Sequence, residues 1–461
     1  MTEYNLKRRK IITEDDLRIA IRQGNITEAL AILRTARLNW NAQDVRGNTA
    51  LHVAIQLGNR AIIDALLDKK EIEVNLQNEI GRVALHQAIA ARDGATIRAL
   101  LEREDLWINF RDCSQRTPLH CAIDAGDRDT IDALLKRQDI EFDPPSTGGY
   151  TPLHLAIIKF DAKTMSALLE TGLVELNSNG RARRSAIHVA IRTGNKEAFD
   201  TLLRRGGVDV NALTLDGDSP LHSAVSGDQS AMIEALLRDN RVLANVYDKH
   251  GRTPLHLAVA TGTKAVVDAL LSNKTTNPNA VTVYSNRAQF TPLHLAAMHN
   301  RIEIVKTLLC REDVKVNNLD AYGKTPLEYA LMQGLYKIAS EIIVRKDAKP
   351  VAGSVEFCWP DYYTEFEYRE FFETMVRCGW NPVEGSNEFS RDYPKKILCA
   401  WRGFLPEWDI HSTARLYPNE FRVIIRAWLL VCGRMRVLPK DMKLHMIPYI
   451  ARAWRTLKDA L

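Results

Sequence analysis

No run of about eighteen apolar residues occurs in this chain, so no membrane-spanning helix is expected. Charge of one sign is scarce as well. A net charge of +5 over 461 residues gives no argument for nucleic acid as a partner. Residues 1–10 are polar and basic and lack the apolar centre of a secretory leader. Paired cysteines are missing too. Cys113, Cys121, Cys310, Cys358, Cys378, Cys399 and Cys432 make an odd seven with no C-x-x-C spacing, which leaves no zinc knuckle and no disulfide framework. Free thiols suit the reducing cytoplasm or nucleus, and Lys7-Arg8-Arg9-Lys10 is a candidate import signal beside the cytoplasmic reading. Catalytic signatures are also absent. There is no nucleophile elbow, paired-carboxylate motif or dinucleotide fingerprint. Gly323-Lys324-Thr325 copies the end of a phosphate loop, but Asn318 stands where the upstream glycine belongs. An enzyme or cofactor reading therefore has no residues to rest on. The 46% hydrophobic and 26% charged content is that of a folded, soluble chain.

What is abundant is one tetrapeptide. Thr-Pro-Leu-His or a near variant returns with a histidine column at His52, His86, His120, His154, His188, His222, His256 and His294. Seven members are spaced by 34 residues, and the last step is 38. An asparagine or aspartate lies eleven residues before each of the first seven, from Asn41 and Asn75 through Asp143 to Asn245. An aliphatic pair follows each, as at Leu66-Leu67 and Leu308-Leu309. Carrying the frame outward places Arg18 and Glu328 in the histidine slot, giving ten units over 13–346. A strict stride of this size means a solenoid in which each unit buries its apolar face against its neighbours.

One unit reads cleanly at Thr253-Pro254-Leu255-His256-Leu257-Ala258. Threonine can cap a helix and proline suits its first position, while Leu255 and Ala258 face neighbouring helices. Gly262 is read as a left-handed stop. Val266, Val267, Leu270 and Leu271 then give a second helix an i, i+3, i+4 apolar face. Turn-forming residues between units make a hairpin-like finger before each tetrapeptide. The insertion at 280–290 enlarges one of these fingers.

The pattern resembles the ankyrin repeat, whose signature is T-P-L-H-x-A at a period of 33. The fold class this implies is all-α dominated, with helix-turn-helix units and β-hairpin-like fingers. In that family the histidine is a structural hydrogen-bonding residue, and the resemblance implies the same here. A metal reading of the column fails on geometry, because each layer would need its own further ligands. One departure is systematic: most second helices end in Leu-Leu and polar residues, as at Leu100-Leu101-Glu102-Arg103, where the family has glycine.

The implied function is a non-enzymatic scaffold, monomeric, that holds a protein partner on the concave and finger face. The fingers carry Arg46, Arg82, Arg116, Arg181, Arg183, Arg184, Lys249 and Arg252, a basic balance that would steer an acidic segment. Arg192 and Met298 are exposed first-helix candidates. Residues 1–12 form a basic tail. Residues 351–461 lose the period and hold six of the eight tryptophans, as expected of a small helical domain packed on the end of the array. Their last segment somewhat resembles an F-box or SOCS-like box. Leu438, Pro439, Ile447, Tyr449 and Ile450 would then face a cullin adaptor, the alternative to simple partner binding. No cofactor, nucleic acid or membrane is expected as a partner.

Overall fold

The computed structural model describes residues 12–283, 288–348 and Thr374. The chain divides into two compact units, Met1–Lys249 and His250–Leu461. Among the described residues there are twenty α-helices and no strand. None of these helices is long and apolar enough to cross a membrane.

The first unit is a row of helix pairs. In chain order they are α1 (Glu14–Arg22) with α2 (Ile26–Thr35), α3 (Ala50–Gln56) with α4 (Arg60–Leu67), and α5 (Ala84–Ala91) with α6 (Gly94–Leu101). Then come α7 (Pro118–Ala125) with α8 (Arg128–Leu135) and α9 (Pro152–Ile158) with α10 (Ala162–Glu170). The row continues through α11 (Ala186–Thr193), α12 (Lys196–Arg204), α13 (Pro220–Ser226) and α14 (Ser230–Arg238). First helices stack on first helices, from α1 on α3 through α11 on α13, and second helices likewise from α2 on α4 through α10 on α12.

The repeated columns explain that stacking. Ala54, Ala88, Ala122, Ala156, Ala190 and Ala224 are fully buried, and so small a side chain lets adjacent first helices approach closely. The leucine of each aliphatic pair, from Leu66 to Leu236, is equally buried in the second-helix row. Each contributes about 2 kcal/mol on removal from water. No single layer encloses these side chains, so the apolar surface of one pair is covered only by the next.

The second unit repeats the scheme with α15 (Pro254–Thr261), α16 (Lys264–Ser272), α17 (Pro292–Met298), α18 (Ile302–Leu309), α19 (Pro326–Met332) and α20 (Tyr336–Ile343). Thr253 caps α15 by accepting from the His256 N–H, with Pro254 in the first helical position. The expected left-handed stop at Gly262 is not found. Gly262 is extended (φ −80°, ψ 175°), and Thr263 at the start of α16 is extended as well (ψ 164°). Asp127, which directly follows the left-handed Gly126 in the equivalent position, sits at ψ 90° instead. The enlarged finger closes normally at its base, Thr282 N–H donating to the Phe290 carbonyl at 2.9 Å.

The basic tail, the finger residues 284–287 and the aromatic-rich segment lie outside the described residues, Thr374 apart. So do the adaptor candidates Leu438, Pro439, Ile447, Tyr449 and Ile450, and the docking of residues 351–461 on the array.

Candidate functional site

Three sets of polar clasps tie successive layers of the first unit and hold its fingers in place. The histidine column is the first. His86 and His154 reach forward with Nε2 to the carbonyls of Arg116 and Arg184, both at 3.1 Å, and His120 reaches that of Tyr150 at 3.0 Å. A carbonyl only accepts, so Nε2 carries the proton and Nδ1 is left to accept. It does so within its own layer, as at His154, from the N–H (3.2 Å) and hydroxyl (2.8 Å) of Thr151. Both ring nitrogens are thereby used, which gives the column its structural role. Burial pushes the imidazoles of His86, His120, His154 and His188 down to about 4. Arg18, in the histidine slot of the first layer, is buried and donates to the Ala42 carbonyl at 2.8 Å.

The asparagine column is the second clasp. Asn75 donates to the Asp105 carbonyl (2.6 Å) and accepts from the Trp107 N–H (2.9 Å), and Asn109 and Asn177 repeat this one layer on. Asp143 can only half-copy it. One of its oxygens accepts from Glu175 N–H at 2.9 Å, the other has no partner, and burial raises its carboxyl.

The third clasp went unread in the sequence. Arg103 and Arg137 each fork onto an aspartate two residues on, Asp105 and Asp139, and reach back to the carbonyls of Leu67 and Leu101 at 3.3 and 3.1 Å. They satisfy the open end of the preceding layer's second helix, the place where the family usually has glycine. The Arg-x-Asp triplet recurs at 311–313 and 345–347. That recurrence was the signal available.

Held this way, each finger is a closed turn. Asp112 N–H donates to the Arg116 carbonyl at 2.9 Å, and Gln115 N–H to the Asp112 carbonyl at 2.7 Å. One rung joins each finger but 180–184 to the one before: Glu79 to Arg46, Cys113 to Ile80, Thr147 to Ser114, Leu215 to Ala182 and Lys249 to Asp216. These fingers are hairpin-like in path but add no strand. Their tip N–H groups are further held by a side chain at the turn's start. Asp44 accepts from Arg46 and Asn48, Asp112 from Ser114 and Arg116, and Thr214 from Asp216 and Asp218.

Against that frame the sequence-derived cations separate into two groups. Arg116 is bound by Asp112 at 2.9 Å and lies 4.0 Å from Asp124. Lys249 is paired with Asp216. Arg46 is exposed and Arg82 half-buried, and neither has an ion pair among the described residues. Finger 180–184 belongs with the second group but gathers three such cations in one turn. Arg181 and Arg183 are exposed, Arg184 is half-buried, and no acid meets any of the three among the described residues. Arg192, two turns along α11, extends to the Tyr150 hydroxyl at 3.2 Å. In the second unit Arg252 and Met298 are half-buried.

Comparison with known proteins follows the repeats. A family model described as ankyrin repeats (3 copies) matches residues 72–145, 141–214, 187–282 and 281–352, and the single ankyrin repeat model matches 46–79. The crystal structure of the ankyrin repeat domain of Bcl-3, a unique member of the IkappaB protein family, aligns at 24% identity with a TM-score of 0.43. The alignment covers 48% of this chain and 97% of that one. Among curated proteins none matches.

Proposed function

Since the chain belongs to the ankyrin repeat family, and hence to proteins with a protein–protein interaction role, we propose that it is a non-enzymatic scaffold whose first unit captures an acidic segment of a protein partner on finger 180–184. The observation that carries this reading is charge left unanswered. Among the described residues Arg181, Arg183 and Arg184 have no acid against them, whereas Arg116 and Lys249 on other fingers are neutralised in place. A guanidinium with no internal partner attracts an incoming carboxylate and speeds encounter. Arg192 on α11 extends the same basic face inward. The clasped layers hold these groups in position before the partner arrives, which lowers the ordering cost of binding.

The scaffold works as a monomer, without a cofactor. Exposed thiols at Cys113 and Cys310 support a reducing compartment, the cytoplasm or nucleus.

Reversal of Arg181, Arg183 and Arg184 to glutamate tests the reading. Proteins captured from a cell extract at low salt by the full chain should be lost by this variant, and the difference should shrink as salt rises. An unchanged set of captured proteins would sink it.

A further inference from the structure

We propose that finger 180–184 recognises a single phosphoryl group on its partner, as phosphoserine or phosphothreonine, and not a run of acidic residues. The inference rests on the acidic-segment reading above and sharpens it.

The first ground is the backbone. In fingers 78–82, 112–116 and 214–218 both tip N–H groups are already used. The first donates to the preceding finger, as Cys113 does to Ile80 at 3.0 Å, and the second to the side chain at the turn's start, as Ser114 does to Asp112 at 2.8 Å. Finger 180–184 has lost both acceptors. Gly180 occupies the start of the turn and has no side chain to offer. A Cβ there would meet the carbonyl oxygens of Arg184 and Gly149 at 3.0 Å. The N–H groups of Arg181 and Ala182 have no acceptor among the described residues. Ala182 is left-handed (φ 58°, ψ 32°), as is Arg183 (φ 55°). N–H groups without an internal acceptor in such a turn are suited to an anion.

The second ground is where the charge stops. On one side the neighbouring finger, 146–150, reads Ser-Thr-Gly-Gly-Tyr and carries no cation. On the other side, finger 214–218 carries Asp216 and Asp218. A polyanion such as RNA needs a continuous track of cations, and an acidic run would meet those two aspartates. One compact dianion fits within a single layer. It also supplies several acceptor oxygens for two N–H groups and the forked guanidiniums.

Arg183→Gly is the informative variant, because glycine already occupies this left-handed position in fingers 44–48, 78–82 and 146–150 and the fold should tolerate it. Degenerate peptide libraries with a fixed central phosphoserine, glutamate or serine would be titrated against the full chain and against Arg181→Ala and Arg183→Gly. The phosphoserine library should bind at least about tenfold more tightly than the glutamate library, and each substitution should weaken it by about tenfold. Inorganic phosphate should compete.

Equal binding of phosphoserine and glutamate libraries, both weakened by Arg183→Gly, would overturn the phosphoryl inference and leave the acidic-segment reading standing. Phosphoserine binding that Arg183→Gly leaves intact overturns it as well. So does stronger binding of poly-uridine RNA or of vesicles containing phosphatidylinositol bisphosphate. No binding of any library would sink the inference together with the acidic-segment reading.

Discussion

Fingers 112–116 and 180–184 are built on the same closed turn and held by the same device, yet they face solvent with opposite chemistry. His86 fastens one through the Arg116 carbonyl and His154 fastens the other through that of Arg184. In the first, Asp112 sits at the start of the turn and takes two N–H groups and the Arg116 guanidinium. Burial opposes its ionisation, but the N–H and guanidinium of Arg116 hold the carboxyl below its ordinary value. In the second, glycine replaces the acid, and the arginines and tip N–H groups are left open. The difference teaches that finger shape is fixed from behind, by the histidine and the next layer. Tip residues are therefore free to vary in charge.

Acid should break both fingers alike, and this is the largest effect expected. His86 and His154 have imidazoles held down to about 4 by burial, below the ordinary 6.5, so the folded state favours the neutral form. The stability this contributes is complete above pH 6.5 and is lost as pH falls towards 4. Each histidine then costs about 3 kcal/mol, since a protonated Nδ1 no longer accepts from the layer's own threonine. Urea unfolding at pH 7, 5.5 and 4.5 should show a midpoint that drops steadily, its first step lying above the range where surface carboxylates titrate. A flat midpoint down to pH 4.5 would contradict the clasp.

Backbone substitutions should separate the fingers. Gly81 and Gly149 are left-handed, and a Cβ on either would lie 2.8 Å from the backbone N of the following finger, Cys113 or Arg181. Gly81→Ala and Gly149→Ala should each destabilise by about 2 kcal/mol. Arg183 occupies the same left-handed position with φ 55° and no glycine to ease it. Arg183→Gly should leave stability unchanged or raise it by up to about 1 kcal/mol, strain relief offsetting the freer unfolded chain. Thermal melts of the three variants check the signs.

The sequence made the stack legible because its physics is periodic. A histidine that must reach the next layer, an alanine that must let a helix approach and a threonine that must cap each recur at the same stride. The asparagine column was visible as a column, though its bidentate grip on the next loop was not. The Arg-x-Asp clasp was missed because it stands where the family has glycine, and an absence drew attention away from its replacement. The candidate site was legible only in part. Counting basic fingers put Arg116 and Lys249 in one group with Arg181 and Arg183, whereas the turn geometry hands the first two to Asp112 and Asp216. Spacing alone does not say which acid a guanidinium will find. Nor does it say that Gly180 withdraws the side-chain acceptor for the Ala182 N–H.

The smallest effect offers the finest test of that distinction. Asp112→Asn keeps an oxygen for the N–H groups of Ser114 and Arg116, so the turn and its register survive, but removes the charge that binds the Arg116 guanidinium. The pair is partly exposed on the arginine side, 30% against 3% for Asp112, so the loss of stability should be below about 1 kcal/mol. Arg116 would then be released towards solvent and Asp124. If unanswered guanidinium charge were enough to recruit an anion, this variant would gain affinity for the phosphoserine library. If open tip N–H groups are needed as well, it gains little, because the asparagine still occupies them. Titration of Asp112→Asn beside the unmodified chain measures the guanidinium contribution apart from that of the backbone. The expected result is less than about a twofold gain, with the backbone of finger 180–184 accounting for the rest.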